Sequence, residues 1–308
     1  MTDVSATPHA PSRPGTGRVR PRALAFVALT KPRIVELLLV TTIPTMIVAE
    51  DGLPSVWLMI ATFVGGALSA GGANAYNMYV DRDIDALMER TKGRPLVTGE
   101  VSPREALVFA TAIEVAAFVL LATTVNLLSA VLALSACLFY VIVYTIWLKR
   151  TSKQNIVIGG AAGAVPVLVG WAAIDNSLPA EAWLLFFLMF MWTPPHFWAL
   201  AIKYAEDYRS ADVPMLPAVA SAKSTAVQMI VYTVPVVVSG VAFGPLAGLG
   251  PIYAVAAVAA GAVFMWHTVR LLSDLSARRA MKVFGYSITY VTVVFAAMAV
   301  DVLVRGGL

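Results

Sequence analysis

The chain is 308 residues long, 59% hydrophobic and 13% charged, about half the charged share of an ordinary soluble domain. That composition excludes a water-soluble globule and makes the lipid bilayer the solvent. The net charge of +4 is no sign of nucleic acid, because the cations flank apolar runs, and the single Cys137 rules out an intrachain disulfide or a cysteine-based metal centre.

Residues 1–22 hold four Pro and four Arg, with Asp3 the only acid and no apolar run, and read as a disordered cytoplasmic tail. Residues 23–308 read as a single membrane domain. Apolar runs of about 20 residues predict nine spans near 30–49, 55–80, 104–124, 127–147, 155–174, 180–203, 225–247, 250–271 and 281–304. Of the 22 Lys and Arg residues, 21 precede or open the first span or lie at the gap after an even one, and only Arg305 falls on the other face. The positive-inside rule then places the N-terminus in the cytoplasm and the C-terminus outside. Clustered small residues, Gly65, Gly66, Gly71 and Gly72 in span two and Gly159, Gly160 and Gly163 in span five, predict close helix packing.

Span two ends in Asn77, Asp81 and Asp85, spaced i, i+4, i+8, so that a helix would place them within an arc of about 80° over about 12 Å, with Asn74 in the same arc and Asp83 turned away. Two carboxylates stacked on one face repel unless a cation lies between them, and a hard divalent ion shared with a phosphate suits such a stripe. A second acidic cluster, including Asp207 and Asp212, follows span six at the same face of the membrane. Those two are five residues apart, so both chelate one ion only if the backbone leaves helical geometry, which Pro214 favours at Val213. Arg90, Lys92, Arg94, Lys149, Arg150 and Lys153 surround these acids and suit a polyanion.

His196 lies seven residues before Lys203, about 10 Å into the bilayer along span six, behind Pro194 and Pro195. Glu114, placed mid-span, receives no role, and neither does His267, which reaches the interface near Arg270.

The run Asn77-x3-Asp81-x3-Asp85, continuing through Met88-Glu89-Arg90-Thr91 to Arg94-Pro95-Leu96, resembles the first aspartate motif of the UbiA superfamily of intramembrane prenyltransferases. Together with Tyr144-Thr145, Leu148-Lys149-Arg150, Asn155 and Trp192-Thr193-Pro194-Pro195-His196-Phe197-Trp198, it is similar to the heme O synthase branch. The match covers most of the chain beyond the tail and departs from the superfamily in its second motif, where Asp207 and Asp212 are five apart instead of four.

The resemblance implies an all-α bundle of nine transmembrane helices with a central cavity open to the cytoplasm; the tail, too short and proline-rich for a transit peptide, favours a bacterial plasma membrane. It implies transfer of a farnesyl group from farnesyl diphosphate to a vinyl group of heme B, giving heme O for terminal oxidases, with Mg²⁺ as cofactor. Asn77, Asp81, Asp85 and Asp207 become the metal and diphosphate group, the three aspartates as metal ligands, and Tyr144 stabilises an allylic cation. Asn74, Arg94, Lys149, Arg150, Asn155, His196 and Asp212 become substrate-binding residues. The implied partners are the two substrates, the lipid bilayer and a heme A synthase or terminal-oxidase assembly. Two other readings fit parts of the sequence: a prenyltransferase with an aromatic acceptor, and a secondary transporter with Glu36, Glu114 and His196 along its path.

Overall fold

The computed structural model describes residues 21–307, the side chains of residues 33–39 apart. Residues 1–20 of the expected tail, His9 with them, and the Glu36 side chain lie outside the described residues. The chain folds into long helices α1 (Pro32–Glu50), α2 (Val56–Val80), α3 (Pro103–Thr124), α4 (Leu127–Thr151), α5 (Asn155–Asp175), α6 (Ala180–Lys203), α7 (Ala222–Leu246), α8 (Pro251–Arg270) and α9 (Ala277–Arg305). Among the described residues eight of them, α2 to α9, are long and apolar enough to cross a membrane. The helix α1 coincides with the first predicted span, but only Val40–Glu50 of it is described as apolar helix. The chain is thus an all-helical, multi-pass membrane protein.

The boundaries follow local chemistry. Ser102 caps α3 reciprocally with Glu105, and Pro103 occupies the first helical position, where its missing N–H costs nothing. Ser55, Asn126, Ser221 and Ser276 cap α2, α4, α7 and α9 with their side chains. Consecutive helices lie side by side and α9 returns against α1, closing the ring, while α5 meets α1 and α6 meets α9 across it.

Small residues permit several of these contacts. A methyl group on Gly72 would reach 2.8 Å from the Glu114 carboxylate, one on Gly160 2.8 Å from Thr193, and one on Gly170 2.8 Å from the Thr42 carbonyl. Gly66 and Gly163 face open space, so the packing expected of them is not made. Between α6 and α9 the core is aromatic, with Trp198, Tyr253, Tyr290, Phe243, Phe264 and Phe295 fully buried. Valines such as Val115, Val119, Val231 and Val238 are exposed at helical spacing on the outer surface.

The two ends of the bundle differ. One, the mouth, carries the short helices Arg22–Leu29, Arg82–Leu87, Pro95–Thr98, Ala205–Ser210 and Leu216–Val219. Among the described residues the opposite end has short connections and a charged clasp. There Asp301 of α9, fully buried, accepts from the backbone N–H groups of Gly250 (2.7 Å) and Tyr253 (3.0 Å) at the start of α8. Arg305 Nε donates to the same carboxylate at 2.8 Å, and its guanidinium also reaches the Gly248 carbonyl at 2.8 Å. Asp301→Ala would leave two enclosed N–H groups without acceptors, a loss of roughly 2–3 kcal/mol, and Arg305, being half exposed, adds little. The variant is expected to melt several degrees lower in detergent by intrinsic tryptophan fluorescence; an unchanged melting curve refutes the clasp.

Candidate functional site

At the mouth α2 stops at Val80, and Asp81 sits at a bend with φ −85° and ψ 2° before the short helix Arg82–Leu87. The three acidic-motif residues are therefore not on one continuous helix face, as the spacing predicts, but on two helices joined at Asp81. The Asp85 N–H still bonds the Asp81 carbonyl at 2.8 Å, which preserves the stacking of the two carboxylates across the break. Both are buried, Asp81 completely and Asp85 to 1% exposure, so they are part of the packed interior and not, as a mouth position suggests, open to water. Asp83 turns outward as expected.

Cations take up the buried charge. Lys149 donates to Asp81 Oδ2, which also accepts from Asn77 Nδ2 at 2.7 Å. Arg94 meets Asp85 at 2.5 Å. Arg150 approaches Asp81 Oδ1 at 3.8 Å but is held by Asp83, with two contacts of 2.7 Å, and the fork drops the Asp83 carboxyl to about 2. Lys31, counted in the sequence only as topogenic charge, joins the group: its Nζ donates to Asn77 Oδ1 at 2.8 Å. A left-handed backbone at Lys31, φ 51°, turns its side chain inward just before Pro32 opens α1. Nothing in a Thr-Lys-Pro-Arg run announces that conformation. Four basic side chains thus gather about Asp81, Asp83 and Asp85, one more than the acids they meet, which suits a polyanion.

Asp81 Oδ1 and Asp85 Oδ1 are enclosed yet lack a hydrogen-bond partner among the described residues. Unpaired, buried carboxylate oxygens fit a hard cation. No group of three His, Cys, Asp or Glu side chains among the described residues converges as a metal-ligand set. Asp207 is tied nearby through the loop between: its Oδ2 accepts from the Arg90 backbone N–H at 3.2 Å, and the Arg90 guanidinium lies over Tyr204 and Tyr208. Asp212 leaves helical geometry, φ 52°, and is exposed, and its side chain makes no bond with Asp207. Asn74 is engaged structurally, donating to the Thr30 carbonyl at 3.1 Å, which pins the helix Arg22–Leu29 to α2.

Beneath the charges, residues Phe139–Leu148 of α4 are wound as a π-helix, whose i to i+5 bonding sets Thr145 Oγ1 on the Tyr140 carbonyl at 2.9 Å. Thr145 accepts from Asn77 Nδ2 at 3.1 Å, and Tyr140 and Tyr144 stack with centroids 5.3 Å apart. Gly159 of α5 lies against the Tyr144 ring, where any side chain would collide. Asn155 is fully buried at the start of α5, and neither amide atom has a hydrogen-bond partner among the described residues. His196 sits apart from this cluster, in the seam between α6 and α9, bonded through Nδ1 to Ser287 Oγ at 2.7 Å.

Glu114 proves to be a helix-seam residue: it accepts from Ser69 of α2 at 2.9 Å, in a seam with α2 closed by the glycine at 72. Among the described residues, it and His196 occupy different seams and do not line one path. Ser287 and Asp301 carry no motif signal, because each meets a partner on another helix, and Thr145, quoted in the sequence beside Tyr144, shows its contact with Asn77 only in the fold.

Residues 38–297 match the UbiA prenyltransferase family. Over 305 residues the chain is 52% identical to a protein of Pseudarthrobacter chlorophenolicus named protoheme IX farnesyltransferase, covering 97% of this chain and 95% of that protein. A structure from work on digeranylgeranylglyceryl phosphate synthase in membranes has a TM-score of 0.76 at 17% identity, covering 92% of this chain and 99% of that one. A UbiA homolog from Archaeoglobus fulgidus bound to GPP and Mg²⁺ has a TM-score of 0.62 at 18% identity, covering 89% and 99%. At such identities the two structures speak for the fold.

Proposed function

Because the chain belongs to the UbiA prenyltransferase family, we propose that it transfers the farnesyl group of farnesyl diphosphate to a vinyl group of protoheme IX. Water adds in the same reaction, giving heme O and diphosphate. The observation that carries this reading is the 52% identity, along nearly the whole chain, to a relative of that name.

The residues at the mouth supply what the leaving group needs. Lys31, Arg94, Lys149 and Arg150 grip the diphosphate and offset the charge that grows on it as the carbon–oxygen bond breaks. Asp81 and Asp85, with their unpaired oxygens, would hold Mg²⁺, with Asp207 as the further acid; when bound it withdraws charge from the leaving diphosphate. The Tyr144 ring, stacked on Tyr140 just below, offers a π-face to the allylic cation. The terminal vinyl carbon of heme bonds to farnesyl C1, and water adds at the inner vinyl carbon and releases a proton. Asn155 gives an amide to the polar end of the substrate, and Asn74 and Asp212 border the mouth.

The cation distribution supports a cytoplasmic mouth and N-terminus in a bacterial plasma membrane, with α1 as the ninth span and the Asp301 clasp outside. Association with a heme A synthase or terminal-oxidase assembly would hand on a product too apolar to travel through water.

The test is mass spectrometry of hemes after incubating purified protein with heme B, farnesyl diphosphate and Mg²⁺. A hydroxyethylfarnesyl heme is expected. Prenylation of a quinone-type phenol with no heme product overturns the reading in favour of an aromatic acceptor.

A further inference from the structure

Resting on the heme-acceptor reading and deepening it, we propose that His196 ligates the iron of the acceptor heme through Nε2, with Ser287 as the positioning residue that presents it in the competent form. The Ser287 hydroxyl stands 2.6 Å from the Phe284 carbonyl, which can only accept, so its one proton is committed there. Toward His196 Nδ1, 2.7 Å away, Oγ therefore acts as acceptor, and Nδ1 carries the ring hydrogen. The lone pair is left on Nε2. A histidine that binds a metal uses this division of labour, one nitrogen donating to a neighbour and the other ligating.

The ring is held as well as polarised. Trp192 stacks on it at 4.1 Å and 19°, Phe284 at 4.6 Å and 27°, and Phe197 meets it edge-on at 5.3 Å. Trp192 Nε1 donates to the Ser287 carbonyl at 2.9 Å, so one residue of α9 fixes both the tautomer and one wall of the stack. The large majority of buried side-chain polar atoms have a hydrogen-bond partner. Here Nε2 has no partner among the described residues, and it is not sealed off in the way the unpaired Trp198 Nε1 and Asn155 amide are. Pro194 and Pro195, just before the ring, also leave the Phe190 and Met191 carbonyls without their helical donors. Ligation is a dative bond from Nε2 to iron; no proton or electron moves, and the heme is anchored with its vinyl edge free to react.

The full-length protein in nanodiscs is titrated with heme B and followed by absorption. The parent is expected to show an imidazole-ligated spectrum. His196→Gly should lose it and raise the heme Kd about tenfold or more, and added imidazole should restore the spectrum. Ser287→Ala should stay ligated but move the iron–histidine stretch of the ferrous form to lower frequency, because Nδ1–H loses its acceptor, and Ser287→Thr should return it. A parent-like spectrum in His196→Gly overturns the ligation, and an unmoved stretch in Ser287→Ala overturns the positioning role. If the parent still yields farnesylated heme, only this inference falls; if it yields none, the acceptor reading falls with it.

Discussion

Asp81→Asn is expected to lower the rate of heme farnesylation by roughly 100-fold or more while keeping the side chain's shape. Asparagine at this position still packs in a fully buried site and still accepts from Asn77, but it neither attracts a metal ion nor balances Lys149. Because an unbalanced buried ammonium also destabilises, the melting temperature should fall modestly with the rate. Asp85→Asn, facing Arg94, should behave alike. Chelation of the parent by EDTA should reproduce the loss, and Mg²⁺ should reverse it. The measurement is initial rate against Mg²⁺ concentration for both variants. Parent-like activity in either at limiting metal removes that residue from the metal group.

Lys149→Gln is expected to raise the KM for farnesyl diphosphate about 10- to 100-fold, the worth of one charge-assisted hydrogen bond of about 1.5–3 kcal/mol. The KM for heme should change by no more than about twofold, because a lost cation at the mouth weakens the polyanion and leaves the histidine seam untouched. Steady-state kinetics with each substrate varied in turn decides it. Equal weakening for both would mean that Lys149 acts through topology or folding.

The helices were legible because a bilayer demands some 20 apolar residues and water at both ends marks the stops. The errors have physical causes. The last helix begins at Ala277, before the predicted 281, because a Ser276 cap supports a turn rich in Arg that hydropathy discounts as loop. The break at Asp81 was not legible, since i, i+4 spacing reads the same whether one helix or two carry it. The π-helical winding of 139–148 hides in a uniformly apolar run. Asp81, Asp85, Lys149 and Arg94 were found by type and position, and the structure brings them together. Lys31 was not, because a left-handed residue before proline has no sequence mark, and Ser287 was not, because 91 residues separate it from its histidine.

The clasp at the end away from the mouth bears on how the protein is made. Synthesis delivers α8 to the membrane before α9, so for that interval the Gly250 and Tyr253 N–H groups have no carboxylate to meet. The same interval leaves α1, the first long helix, without its α9 neighbour. Both vacancies close in one event, when the ribosome has passed Asp301 and Arg305. The bundle is therefore sealed late, and a nascent chain halted before position 301 is the form a membrane quality-control protease should recognise.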